Sequence, residues 1–182
     1  MGVTHAEQIG VEPQLAALDA ALASGLRLVM VREKQMPEPQ LLEFAREVVA
    51  RCHAAAAHVL INGNPNVANA CGADGLHLPA AQLLARDARP SAALCGASCH
   101  DARELAHAIA IGLDYLVLGP VLPTSSHPGA PALGWEAFAA LKEHCPLPVF
   151  AIGGLRRSRL VEAWRAGAHG VAMLRGAWTH SP

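Results

Sequence analysis

Tyr115-Leu116-Val117-Leu118-Gly119-Pro120-Val121-Leu122-Pro123-Thr124-Ser125-Ser126-His127-Pro128-Gly129 is the stretch on which the fold turns. Its first four residues form an apolar run of strand length, the pattern of a strand buried on both faces. Gly119-Pro120 then breaks the run into a loop of hydroxyls, one histidine and small residues. A rigid strand below a polar loop is the anatomy of a site. The same unit recurs outward in both directions. Strands are expected over 26–31, 58–61, 75–78, 93–98, 148–152 and 170–174, with Val3-Thr4-His5 as the stub of a first one. Helices are expected over 13–24, 37–56, 65–71, 101–111, 135–145 and 158–166, and 79–86 is helical or irregular. Asp101 with Glu104 has capping-box spacing, Gly25 closes the first helix, and Ser158 is the expected N-cap of the last.

Strand and helix thus alternate about eight times without a linker, which predicts parallel strands joined by crossover helices. The expected architecture is α/β, a compact (β/α)8 TIM barrel in a single domain over 1–182. An open doubly wound sheet is the competitor, but the G-x-G-x-x-G fingerprint of dinucleotide folds is absent.

At 182 residues, 52% of them hydrophobic, the chain suffices for one sizeable core. A formal charge of -1 and an aromatic content of 4% give neither the basic footprint nor the stacking platform of a nucleic-acid binder. No apolar run of about 18 residues and no basic-then-apolar leader occur, so no membrane partner is expected and the location expected is cytoplasmic. Five cysteines with no C-x-x-C pair predict reduced thiols. Cys95 and Cys99 would start about 13 Å apart along a strand. Small buried cysteines are therefore expected there in preference to a zinc site.

In a barrel the chemistry sits at the C-terminal strand ends. Those ends read Arg32 and Lys34, Asn62, His77, Ser98 and His100, the loop Thr124-Ser125-Ser126-His127, Gly153-Gly154, and Arg175-Gly176. Polar or glycine residues recur there while the strands beneath are apolar, which points to a ligand site. Gly153-Gly154 and Arg175-Gly176 follow the seventh and eighth strands, where barrels commonly hold phosphate. Arg32 and Lys34, two apart, project to one side of an extended stretch and could clamp one anion, or else belong to a solvated Arg-Glu-Lys surface.

These residues resemble the thiamine-phosphate synthase and thiazole tautomerase superfamily. Val31-Arg32-Glu33-Lys34, Leu60-Ile61-Asn62, Gly72-Ala73-Asp74-Gly75-Leu76-His77-Leu78, Gly112-Leu113-Asp114-Tyr115, Gly119-Pro120-Val121-Leu122-Pro123-Thr124, Ala151-Ile152-Gly153-Gly154 and Gly167-Ala168-His169-Gly170-Val171-Ala172 fall in that family's order and spacing. The closest look-alike is the synthase-like domain fused behind a nudix hydrolase in some bacteria. The resemblance implies a thiamine-biosynthesis barrel that joins a pyrimidine pyrophosphate to a thiazole phosphate with Mg²⁺ assistance. By that resemblance Arg32 and Lys34 would hold the pyrophosphate, with Asn62 beside it and Ser98 in contact. Thr124, Ser126 and the backbone of Gly153 and Gly154 would meet the thiazole phosphate. The strand ends add His77 and Arg175 as further expected substrate-binding positions.

The departures are specific. Gly63 stands where the synthase carries a metal-binding aspartate, and Ala80 to Gln82 supply no second one, so Mg²⁺ is expected from the family while its ligands are missing. His127 replaces the usual lysine and Arg175 the usual serine. The tautomerase histidine is absent as well, since Pro120 stands in its place. His127 and His100 are the local groups able to move a proton. Three functions follow: a divergent synthase, a metal-free isomerase, or a non-catalytic domain that binds phosphorylated ligands. Phosphorylated thiazole or pyrimidine molecules are the expected ligands and a nudix hydrolase the partner to look for, while a homo-oligomer stays open.

Overall fold

The structure, a computed structural model, describes residues 1–124 and 131–178. Every strand expected from the sequence is formed, with its ends shifted by at most two residues. The strands make one parallel sheet in which sheet order equals chain order. That is the (β/α)8 barrel topology. By its internal packing the chain divides into two compact units.

The first unit spans Met1–His77, adds Ala92–Leu94, and takes in the chain from Leu174. It contains β1 (Gly2–Val3), α1 (Ala6–Ile9), α2 (Val11–Ala23), β2 (Leu28–Val31), α3 (Glu38–Ala54), β3 (His58–Asn62), α4 (Pro65–Cys71) and most of β4 (Gly75–Leu78). Val29 lies opposite Val59, Val31 opposite Ile61, and Asn62 opposite His77. Helix α3 covers this sheet because Leu41, Phe44, Ala45, Val48, Val49 and Cys52 recur at helical spacing and all are buried. Pro at the second position of α3 and the first of α4 starts both helices without losing an internal hydrogen bond. Gly25 follows α2 at φ +93, a turn that closes the helix as expected. Helix α1 was not foreseen. Trp178 returns to this unit, where its indole N–H donates to the Val3 carbonyl at 2.8 Å.

The second unit spans Leu78–Ser91 and Cys95–Met173. It contains α5 (Ala80–Leu84), nearly all of β5 (Leu94–Cys99), α6 (Ala102–Ala110), β6 (Tyr115–Leu118), α7 (Gly134–Glu143), β7 (Val149–Ile152), α8 (Leu160–Arg165) and β8 (Gly170–Ala172). All four residues of β6 are buried, as the apolar run requires. Tyr115, Phe150 and His169 stack edge to face, with centroids 6.1 and 5.2 Å apart. One arm of the capping box on α6 is formed: the Asp101 carboxylate accepts from the Glu104 N–H at 2.8 Å. The expected cap by Ser158 is not formed. Arg157–Arg159 make a 3-10 turn led by the extended Arg156, so Ser158 lies inside helical backbone, where its hydroxyl is past the capping position. All five cysteines are free and buried.

Candidate functional site

In the first unit, strand register builds the site. Val31 pairs with Ile61 and Asn62 with His77, so Arg32, Asn62 and His77 stand level at neighbouring strand ends. His77 is 1% exposed, and burial pushes its imidazole down to about 3, with the Arg32 charge adding to the fall. It is therefore a neutral side chain at any physiological pH. Arg32 is half-buried, and burial lowers its affinity for a proton while the Glu33 and Glu7 carboxylates restore part of it. Lys34 is exposed, and the Arg32 charge is the main cause that holds its ammonium below the ordinary lysine value. The Lys34 effect arises because two like charges stand close together.

Sequence reasoning missed what fixes these cations. The Thr4 hydroxyl oxygen, fully buried, accepts the Arg32 N–H at 3.0 Å. Glu33 is turned inward onto the Ala6 and Glu7 N–H groups, at 2.9 and 3.0 Å. Glu7 in turn accepts from Gln35 and, at 2.6 Å, from Met36. Close by, the buried Gln14 accepts the His5 N–H at 3.0 Å. Arg175 opens a 3-10 turn, and its charge lowers the His5 imidazole together with burial, which is the larger cause.

In the second unit, Ser98 is half-buried within β5 and His100 follows the strand. The His100 ring Nδ1 lies 2.9 Å from Glu104 Oε2, and the same oxygen accepts the His100 N–H at 2.6 Å. Glu104 thereby sets the ring's orientation and leaves Nε2 as the outer nitrogen. The focal loop leaves β6 through a cis Gly119–Pro120 peptide. Val121 donates to Ile152 O at 2.8 Å and Leu122 to Gly153 O at 3.1 Å, which seats the loop on the end of β7. Leu133 and Gly134 donate back to Pro120 and Val121, both at 2.9 Å, closing its base. Gly153 and Gly154, at φ +102 and +65, make the turn against which it packs. Thr124 is half-buried at the last described position before residue 125. Ser126 and His127 lie outside the described residues.

Two chemistries can be weighed on these observations. Burial pushes the Cys99 and Cys52 thiols up to about 12, so neither is a thiolate nucleophile near neutrality. Among the described residues no group of three His, Cys, Asp or Glu side chains gathers as a metal site. At the ends of β3 and β4, Asn62 is followed by Gly63, and Pro79 by Ala80 to Gln82; none of these carries a carboxylate. That donor set does not fit Mg²⁺, which binds through carboxylate oxygens.

Residues 1–177 match the family model for thiamine monophosphate synthase. The chain belongs to that family. The putative thiamine-phosphate synthase of Geobacter sulfurreducens is 41% identical over 179 residues, 94% of this chain and 83% of that protein. A thiamine-phosphate synthase of Thermosynechococcus vestitus is 38% identical, over 88% of this chain but 47% of its own length. Among solved structures, thiamine phosphate pyrophosphorylase from Pyrococcus furiosus superposes with a TM-score of 0.84 at 25% identity, covering 98% of this chain and 87% of that one. The fold is the (β/α)8 barrel of this synthase family, and the family places the chain in thiamine biosynthesis, with phosphorylated small molecules as its substrates. Among the described residues no helix is long and apolar enough to cross a membrane.

Proposed function

We propose that the chain is a divergent thiamine-phosphate synthase, a transferase that joins a pyrimidine pyrophosphate to a thiazole phosphate and releases pyrophosphate. The observation that carries this is the level row of Arg32, Asn62 and His77, with Lys34 two residues beyond Arg32. Breaking the C–O bond to pyrophosphate builds negative charge on the leaving group, and fixed cations stabilise that charge. Arg32 offers a planar fork for phosphate oxygens and Lys34 a point charge. Neutral His77 adds a polar edge without adding charge. In the second unit, Ser98 offers a hydroxyl to a phosphate oxygen. Thr124, Ser126 and the backbone at Gly153 and Gly154 take the thiazole phosphate. His127 stands in for the lysine of the family pattern, and Arg175 adds a further cation. A cytoplasmic location, a nudix hydrolase partner, a homo-oligomeric state and a single-domain chain belong to the same proposal.

The test is turnover with pyrimidine pyrophosphate, thiazole phosphate and Mg²⁺, read as thiamine phosphate formed. Product is expected, with Arg32→Ala lowering kcat/KM by at least about 100-fold, or ~2.7 kcal/mol. Absence of product beside an active synthase control would overturn it.

One observation favours a second reading, the metal-free isomerase. The His100–Glu104 pair is a carboxylate-oriented imidazole, the geometry of a general acid/base. Solvent-proton exchange into a thiazole phosphate, unaffected by EDTA and lost in His100→Gln, would select it. Binding of phosphorylated ligands with neither activity would leave the non-catalytic domain.

A further inference from the structure

Glu33 sits between two cations in sequence yet turns away from solvent: it is 6% exposed, while Lys34 beside it is exposed. A buried carboxylate persists only when its oxygens are hydrogen-bonded. Here one oxygen accepts from Ala6 and the other from Glu7, the first residues of α1. Glu7 returns the interaction, its carboxylate accepting from Gln35 and Met36 on the loop that carries Glu33. Each of the two strand-end segments thus lends a carboxylate to the other's N–H groups. With Thr4 holding the Arg32 N–H, the backbone is pinned at Arg32, Gln35 and Met36, and the side chain of Glu33 is pinned between them.

We propose that Glu33 and Glu7 are positioning residues, a crossed pair that holds Arg32 and Lys34 ready for an anionic phosphate group. The proposal rests on the reading of those cations as a phosphate site. Two physical effects make the pair suited to it. Pinning the loop removes the ordering cost that an incoming anion would otherwise meet. The two carboxylates also balance two adjacent cations, whose mutual repulsion would drive them apart in the ligand-free protein. Neither carboxylate is used up as a ligand for phosphate: both are occupied by backbone N–H groups.

Calorimetric titration of the full chain with inorganic pyrophosphate tests this in a double-mutant cycle. The wild type binds, and Arg32→Ala raises Kd at least about 30-fold. Glu33→Gln, which keeps an oxygen acceptor and loses the charge, raises Kd about tenfold, yet changes it less than about twofold in the Arg32→Ala background. Glu7→Gln, at an exposed position, raises Kd in the same direction and serves if Glu33→Gln does not fold. If Glu33→Gln and Glu7→Gln lower only the melting temperature and leave Kd within twofold, the pair is a structural staple and the proposal falls. Tighter pyrophosphate binding by Glu33→Gln would also overturn it, because the carboxylate would then be a competing charge. So would an equal loss in both backgrounds. A wild type that does not bind, or an Arg32→Ala variant that binds as well as wild type, overturns the phosphate reading itself, and shows before any Glu33 variant is compared.

Discussion

At Gly153 the backbone has φ +102, and a Cβ would stand 2.5 Å from the Pro120 Cβ. Both facts are local, and both forbid a side chain: the dihedral is one that L residues rarely adopt, and the loop from β6 occupies the space. Gly153→Ala is therefore expected to cost at least about 1–3 kcal/mol, the range for a single strained residue, and urea denaturation at neutral pH measures it. An unchanged midpoint would mean that the loop does not lie on this turn. The Gly-Gly pair was legible as a turn where backbone could approach an anion. That it also admits the neighbouring loop was not, because the loop is more than thirty residues away in sequence. Glu33 was opaque for the same reason. Its N–H partners are 26 and 27 residues off, so its immediate context, Arg-Glu-Lys, reads as a solvated charge run. Thr4 and Gln14 gave no signal at all, since a buried hydroxyl or amide is recognised by its partner and not by its neighbours.

At the scale of elements, the legible helices were those whose signals are local. On α6 the Asp101 carboxylate caps the Glu104 N–H, and Glu104 reaches back to His100 instead of to the cap residue itself. The expected box thus has its return arm displaced by one residue, which is how a helix cap comes to orient His100. Asp101→Ala is expected to lower stability by about 1 kcal/mol, through one lost cap. Glu104→Gln, which preserves the cap spacing and keeps an oxygen acceptor for the His100 N–H, is expected to cost less, and urea midpoints at neutral pH rank the two variants. A Glu104→Gln variant that loses as much stability as Asp101→Ala would show that the return bond to the His100 N–H counts for as much as the cap. Helix α8 was legible too, but its expected cap was not met because the 3-10 turn at Arg157–Arg159 precedes it, and no local sequence rule distinguishes a capping serine from one already inside a turn. Helix α1, four residues long, is too short to have periodicity, and its first N–H groups are satisfied by Glu33 from another strand end.

For the molecule as a whole, the eightfold alternation made the barrel legible, and the same buried strands dictate how stability responds to acid. His77 belongs to a strand whose residues are all buried, and its imidazole is held down to about 3 against an ordinary 6.5. Its folded-state pKa is depressed, so between those two values the unfolded chain binds the proton and the folded chain does not. Its contribution is accordingly complete above pH 6.5 and is lost as pH falls toward about 3, at ~1.4 kcal/mol per unit. His5, lowered mainly by burial, acts in the same direction. Asp74 adds a later loss. Burial alone would raise its carboxyl, but the Val59 N–H at 2.7 Å and the His53 and His58 rings outweigh that and leave it below the ordinary 3.8. Its share is present above pH 3.8 and goes only as the pH falls through the lower folded value. Urea midpoints measured from pH 7.5 downward should fall more steeply for wild type than for His77→Gln, whose buried amide takes up no proton. The comparison is one of slopes, so a uniformly less stable variant still reports on His77. Parallel slopes down to pH 4 would mean that the imidazole is protonated inside the fold. Its burial beside Arg32 would then require a counter-charge in the site, and the neutral polar edge assigned to His77 in pyrophosphate binding would have to be replaced by a third cation.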